Sequence, residues 1–314
     1  MTSGGPGAWD TEYHAPVLAE EILKLFEGAR TILDCTLGGG GHTAALLAMG
    51  ATVTAIDRDP AAIETSKKRL ASHAATGRFH VILGNFSEVN TLLTDPAQRF
   101  DGIIADLGVS SHQLDDELRG FSFREGALLD MRMGKSEDAA ADVLNTADES
   151  ELARIFRDYG DEPRARRMAR EVVRRRENRP FLTSDDFVGA IRAVLGSRSG
   201  SGDFARLFQS LRIAVNDELS SLTKALPQLR DRLEPGGVLA VIAYHSGEDR
   251  IAKHEMREWS RNCTCPPRQL TCTCRGVALG DLVTRKAVSA GDAEIQRNPR
   301  SRSARLRAWR RREA

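Results

Sequence analysis

Through the first hundred residues, short apolar runs alternate with stretches of helical period. Thr31–Cys35, Thr52–Asp57, Phe79–Leu83 and Phe100–Asp106 are predicted as buried strands, apolar on both faces. Between them, Gly41–Met49 and Pro60–Leu70 are predicted as helices, with Pro60 at a first helical position where its missing N–H costs nothing. This alternation predicts an α/β fold built on a doubly wound parallel sheet.

After Val109 the rhythm stops. Helices are predicted at Glu149–Tyr159, Pro163–Arg176 and Ser184–Leu195, followed by a flexible Gly/Ser-rich surface loop at 196–202. A long helix is then predicted from Phe204 to Leu226, with Leu207, Leu211, Val215, Leu222 and Leu226 mostly at four-residue spacing. Leu233–Gly237 reads as a turn and Val238–Tyr244 as a further buried strand, so the sheet resumes. The expected organisation is a discontinuous α/β domain of residues 1–114 and 206–314 around an inserted helical domain of residues 115–205. No internal repeat is evident.

Composition narrows the class. Of 314 residues, 41% are hydrophobic and 28% charged, which excludes collagen-like, coiled-coil and wholly disordered chains. No apolar run approaches the ~20 residues of a membrane helix, and the first residues lack the basic and apolar regions of a signal peptide. Cys35 stands alone on an apolar segment and the other four cysteines crowd into twelve residues, which does not suggest secretion. The expected compartment is the cytoplasm, with no membrane partner. The net charge of +1 is uninformative, but its distribution is not. Residues 101–150 carry twelve acids against four bases, whereas 151–180 carry ten arginines against six acids. Residues 295–314 carry eight arginines against one glutamate. Such sorting offers basic surfaces to a polyanion, with solvated helix faces as the plainer alternative.

The candidate chemistry begins at Leu33-Asp-Cys-Thr-Leu-Gly-Gly-Gly-Gly41-His-Thr-Ala-Ala, a strand, a glycine cluster and a helix. Glycines there let backbone approach a ligand near a helix N-terminus, and Gly39, Gly41 and Ala44 fit a loose G-x-G-x-x-[GA] pattern. A tight packing turn explains that pattern equally well. Asp57, at the end of the next strand, can accept from both hydroxyls of a ribose. Together they point to an adenosine-type cofactor, either NAD or S-adenosylmethionine; a Walker nucleotide site is excluded because no Gly-Lys-[Ser/Thr] follows. Asp106-Leu-Gly-Val-Ser-Ser111, at the end of the fourth strand, resembles the Asp-Pro-Pro-Tyr-type signature of amino-methyltransferases.

At this point the resemblance becomes specific. His14-Ala-Pro-Val-Leu18, Gly39-Gly-Gly-His42, Ala55-Ile-Asp-Arg-Asp59, Asp106–Ser111 with Gln113-Leu-Asp-Asp116, and Arg119-Gly-Phe-Ser-Phe123 are similar to one family. So are Leu129-Asp-Met-Arg-Met133, His245-Ser-Gly-Glu-Asp-Arg250 and Asn298-Pro-Arg-Ser-Arg-Ser303. The chain resembles the RsmH (MraW) family of bacterial methyltransferases, which act on a cytosine N4 in 16S ribosomal RNA.

That resemblance implies a class I S-adenosylmethionine-dependent methyltransferase sheet and a helical insertion that recognises substrate. It also implies 16S rRNA of the small subunit as partner, with position 1402 in conventional 16S numbering as the target. A homodimer stays open. Carried over position by position, cofactor contacts fall on Gly40, Gly41, His42, Asp57, Phe86, Asp106 and Gln113. Asp106 is either also the catalytic acceptor of the amine hydrogens or a carboxylate that binds only the cofactor. Phe86 is an adenine platform or a core phenylalanine; His42 binds the methionyl carboxylate or closes its loop. The family usually reads Phe-His-Ser-Leu-Glu-Asp-Arg where this chain has Tyr244-His-Ser-Gly-Glu-Asp-Arg250, so Gly247 puts the local packing in question. His245 lines the pocket of an unstacked cytosine or is structural.

Three further readings follow from the residues. Methylation at a ring carbon would need a thiolate nucleophile, and Cys35, on the first strand, is misplaced for it. The arginines from Arg297 to Arg312 are expected to meet RNA phosphate, partly as a strand edge returning to the sheet, with the 164–176 helix as a second candidate. Cys263-Thr-Cys265 and Cys272-Thr-Cys274 could hold zinc or remain reduced thiols; because C-x-C is tighter than usual ligand spacing, no metal is assigned. The competing functions are a DNA amino-methyltransferase, a non-catalytic assembly factor that binds cofactor, and a Rossmann dehydrogenase.

Overall fold

The computed structural model describes residues 16–109, 113, 119–134, 138–266, 268–269 and 271–313. The first hundred of these follow the expected alternation. In chain order they form α1 (Ala19–Leu25), β1 (Thr31–Asp34), α2 (Gly41–Ala48), β2 (Thr52–Asp57), α3 (Pro60–Arg69), α4 (Ala71–Ala75), β3 (Phe79–Leu83), α5 (Val89–Leu92) and β4 (Phe100–Asp106). Asp59 caps α3 by accepting from the Ala61 amide, and Pro60 takes the first helical position as expected.

The described residues fall into two compact units, one holding those up to Gly108 and from Leu219 onward, the other Val109–Glu218. The first unit contains a seven-stranded sheet in the order β3-β2-β1-β4-β5-β7-β6, where β5 is Leu233–Ala243, β6 Gly280–Leu282 and β7 Arg305–Arg311. Pairings among β1 to β5 are parallel; β7 runs antiparallel to both its neighbours. Alternate strand residues feed two separate cores. Ile32, Val53, Ala55, Ile104, Ala240 and Leu306 lie on one face, and Leu33, Ile56, Ile103, Val241 and Trp309 on the other. A sheet buried on both faces is the doubly wound class I arrangement expected. Phe100 pairs with Leu233 and Gly102 with Val238, so Glu234–Gly237 loops out between them. The turn read from Leu-Glu-Pro-Gly-Gly is therefore a bulge inside β5.

The second unit is helical, built from α6 (Ala140–Thr146), α7 (Glu149–Asp158), α8 (Ala165–Arg176), α9 (Ser184–Leu195) and α10 (Ser201–Asn216). Its core stacks Phe156 on Phe187, which in turn meets Phe208 at 5.2 Å. Three expectations need correction. The single helix from Phe204 to Leu226 is two, because Asp217 adopts a left-handed φ of 47° between α10 and α11 (Glu218–Asp231). The boundaries expected at 115 and 205 move outward, since all of α10 packs into the helical core. The 196–202 loop also shortens, with Ser201 and Gly202 already in α10 and Asp203 accepting from the Gly200 amide.

The basic tail is not one continuous RNA-facing stripe. Arg307 on β7 makes a bidentate pair with Asp249 on α12 (Ser246–Trp259), at 2.6 and 3.0 Å, with both side chains largely buried. Arg312 pairs with Asp281, and Arg311 donates to the Leu233 carbonyl at 2.6 Å. Arg307→Ala leaves Asp249 uncompensated and is expected to cost about 2–3 kcal/mol, read as a lowered urea midpoint. A midpoint that does not move would return Arg307 to the set of RNA contacts. No described helix is long and apolar enough to cross a membrane.

Candidate active site

Five parallel strands of the first unit end at one edge of the sheet, where an open α/β fold places its ligand. The segment after β1 turns through Gly38 and Gly40, both left-handed at φ 49° and 74°. A Cβ on Gly40 would also come within 3.1 Å of the Ser66 hydroxyl. The carbonyls of Gly38 and Gly39 accept from Ser66 and Arg69 on α3, both at 2.8 Å. Those bonds tie the loop's acceptors to α3 and fix it just ahead of the α2 N-terminus. Gly41 packs on Pro16, only 3.2 Å from where its Cβ would stand.

Asp57, ending β2, accepts from the Gly38 amide at 2.7 Å and the Asp59 amide at 2.8 Å. One backbone bond falls on each carboxylate oxygen, leaving lone pairs on both. Burial raises this carboxyl to about 6, although the two amides pull the other way. Phe86, in the short turn Phe86–Glu88 after β3, is half-buried against the core of Leu33 and Ile56. It therefore has a packed side and an open one.

Asp106 ends β4 with its side chain 23% exposed. Its amide donates to the Thr36 hydroxyl at 2.7 Å. Its Oδ1 accepts from the Tyr244 hydroxyl at 2.9 Å, and its Oδ2 lies 3.4 Å from His42 Nε2. Burial and the nearby Asp106 charge hold the Tyr244 hydroxyl well above its ordinary range, so it stays a donor. His42 is only 7% exposed, yet neither ring nitrogen has a hydrogen-bond partner among the described residues. An unmatched buried polar group costs about 1–3 kcal/mol, so this imidazole is poised for a ligand's polar group.

The first unit therefore brings together Gly40, Gly41, His42, Asp57, Phe86 and Asp106 at its strand ends. Gln113 lies in the helical unit, where it is buried. His14, Ala15, Ser110–His112 and Leu114–Asp116 of the sequence motifs lie outside the described residues.

Two further participants were not singled out from sequence. Tyr244 was read only as a strand end. Asp34, fully buried at the end of β1, accepts from the Thr43 hydroxyl at 2.7 Å and the Thr36 amide at 3.1 Å. It thereby locks the start of α2 to the strand. Burial raises its carboxyl, while Thr43, His42 and Thr36 oppose that shift. An acidic residue closing a buried strand just before a glycine cluster was the available signal for it.

His245 is held at the start of a helix, with its buried Nε2 lacking a hydrogen-bond partner among the described residues. It caps α12, with Nδ1 accepting from the Gly247 amide at 3.2 Å and Nε2 resting 3.3 Å from Glu248. Glu248 reaches back to the Tyr244 amide at 2.9 Å. Gly247 fits that cap, because a Cβ there would stand 3.1 Å from the His245 ring and 3.3 Å from Leu219.

Comparison with known proteins is consistent along the chain. The MraW methylase family model matches residues 11–312. A protein of Gemmatimonas aurantiaca named ribosomal RNA small subunit methyltransferase H is 61% identical over 299 residues, covering 95% of both chains. Proteins of the same name from Myxococcus xanthus and Granulibacter bethesdensis are 46% and 45% identical. These alignments cover 94% and 98% of this chain, and 96% and 93% of those proteins.

Proposed function

Since this chain belongs to the MraW methylase family, we propose that it methylates the N4 amine of a cytosine in 16S ribosomal RNA of the small subunit, using S-adenosylmethionine in the cytoplasm. The observation that carries this reading is the Asp106 carboxylate, tied through one oxygen to Tyr244 and turned through the other towards an unmatched His42.

The residues present fit the cofactor. His42 offers two unsatisfied nitrogens beside the glycine turn, in keeping with a methionyl carboxylate. Asp57 keeps lone pairs for a ribose diol, and Phe86 keeps an open side for adenine. When bound, S-adenosylmethionine supplies a methyl group on a sulfonium, open to in-line displacement. Gly40 and Gly41 allow close backbone approach, and Gln113 is retained as a contact from the family resemblance.

The remaining chemistry falls to the chain. A cytosine N4 lone pair is delocalised into the ring, so the amine must be held pyramidal and aligned. Asp106 Oδ2 and the backbone carbonyls just after it accept from the amine hydrogens, drawing the lone pair out of conjugation. With the cofactor bound, its sulfur would take the C–S bonding pair as the methyl group passes to the nitrogen that Asp106 holds in line. The nitrogen sheds its proton during or after transfer. Tyr244 holds the carboxylate in one rotamer throughout, because its bond to Oδ1 fixes the plane of the group. Reaching the amine requires an unstacked cytosine.

Single-turnover methylation of unmodified small subunits, followed by nucleoside mass spectrometry and site mapping, tests the proposal. N4-methylcytidine at one ribosomal site is the expected product. Label in another base, or in DNA, would overturn the specificity; cofactor binding with no product on naked RNA or on the subunit would favour an assembly factor. NAD binding without S-adenosylmethionine binding would favour the dehydrogenase.

Phosphate contacts are best sought among exposed arginines with no partner among the described residues: Arg302, Arg305 and Arg310 on the tail, and Arg166, Arg167 and Arg170 on α8. Replacing Arg305 and Arg310 together by alanine is expected to reduce the slope of log affinity against log salt by about 1–1.5. An unchanged slope would remove the tail from the interface.

A further inference from the structure

The segment joining α12 to β6 contains four of the chain's five cysteines, in the pattern C-x-C-x6-C-x-C. It lies apart in role from the residues assigned to methyl transfer. The spacing alone argued against a metal, because a single residue between ligands is tighter than most zinc knuckles use. The fold changes that assessment by bringing the two short arcs face to face.

All four sulfurs lie within 4.8 Å of one another. Cys263 stands 3.9 Å from Cys272 and 3.8 Å from Cys274; Cys272 stands 3.9 Å from Cys265 and 3.4 Å from Cys274. Four thiolates on a tetrahedral zinc at the usual Zn–S length of about 2.3 Å would be separated by about 3.8 Å. Each C-x-C arc thus supplies two sulfurs, and the four separations given lie within about 0.4 Å of that tetrahedral edge. The Thr264 amide donates to Cys274 Sγ at 3.3 Å, binding one arc to the other. Gln269 braces the connection by donating to the Thr271 carbonyl and the Thr273 hydroxyl. Arg261 lies close enough to Cys263 and Cys274 to share their field, as suits a tetrathiolate carrying net negative charge. None of the four cysteines is in a disulfide.

We propose that Cys263, Cys265, Cys272 and Cys274 bind one zinc ion in a closed, tetrahedral, structural site. With all four positions taken by protein there is no place for a substrate or an activated water, so the ion acts as a clasp. It holds the C-terminal end of α12 to the start of β6. Arg275, beside the fourth ligand, reinforces the same join by donating to the carbonyls of Trp259 and Arg261.

The test uses the full chain purified under reducing conditions without chelator, and does not depend on methyltransferase activity. Elemental analysis is expected to find one zinc per chain, lost in both Cys265→Ser and Cys272→Ser and kept in Cys35→Ala. Cobalt exchanged into the site should give the ligand-field and sulfur-to-metal charge-transfer bands of a tetrahedral tetrathiolate. Removing the metal should lower Tm by about 5 °C or more. Iron in place of zinc at full occupancy would overturn the identity of the ion. No bound zinc, no thiolate bands with cobalt, and thiol reactivity unaffected by added zinc would overturn the site itself and leave a loop of reduced thiols.

Discussion

Asp106→Asn is expected to slow single-turnover methylation by about 100–1,000-fold while weakening S-adenosylmethionine binding by no more than about tenfold. Asparagine preserves the shape of the side chain, and its carbonyl can still accept from Tyr244, so the β4 terminus should keep its geometry. It loses the negative charge and one acceptor, and presents an NH2 where the cytosine amine needs an acceptor. The loss should therefore fall on the chemical step. Stopped-flow or quench methylation at saturating cofactor, together with calorimetric affinity, separates the two roles assigned to this residue. Equal losses in rate and affinity would make Asp106 a cofactor ligand only. Unchanged turnover would remove it from the mechanism.

Asp57→Asn should act on the other quantity, raising the cofactor Kd by about 10–100-fold, as expected when a charged acceptor of two hydroxyls becomes neutral. The wild-type protein should reveal the same group through pH. Burial places the Asp57 carboxyl at about 6, and ribose hydroxyls donate to its ionised form. Affinity should thus rise as pH increases through 6 and level off above about 7. At pH 5 only about one tenth of the group is ionised, so binding should be up to about tenfold weaker than at neutrality. Asp57→Asn should flatten the profile. A variant that kept the wild-type pH dependence would show that another group is responsible.

The elements of the parallel sheet were legible because each is a short run buried on both faces, bounded by residues that cannot continue it. The helix break at Asp217 was not. Leu207 and Leu211 belong to the core of the helical unit, whereas Leu222 and Leu226 belong to a core of the sheet. Both sets keep a helical spacing, and periodicity does not say which core a residue enters.

Charge was misread for a related reason. Arg307 appeared as one basic residue in a basic tail because Asp249, its partner, is 58 positions away in sequence. At the site, the strand-end residues Asp57 and Asp106 could be found from pattern, since the ends of parallel strands converge by construction. Tyr244 could not, because its bond to Asp106 depends on β5 lying beside β4 after more than a hundred intervening residues. The four cysteines are close in space only because two arcs fold face to face, and their local spacing carries no trace of that proximity.

The antiparallel position of β7 also sets an order of events. It occupies an interior place in the sheet, but every other strand precedes it in the chain. During synthesis β5, which leads to Tyr244, emerges with one open edge, and β6 emerges with no strand to pair with. Both wait for a segment made afterwards, so the nascent sheet exposes a sticky backbone edge until β7 slots in. The insertion of β7 should be the late, non-local step of folding, and chains stopped before Arg305 should be recruited by holdase chaperones rather than accumulate as smaller enzymes.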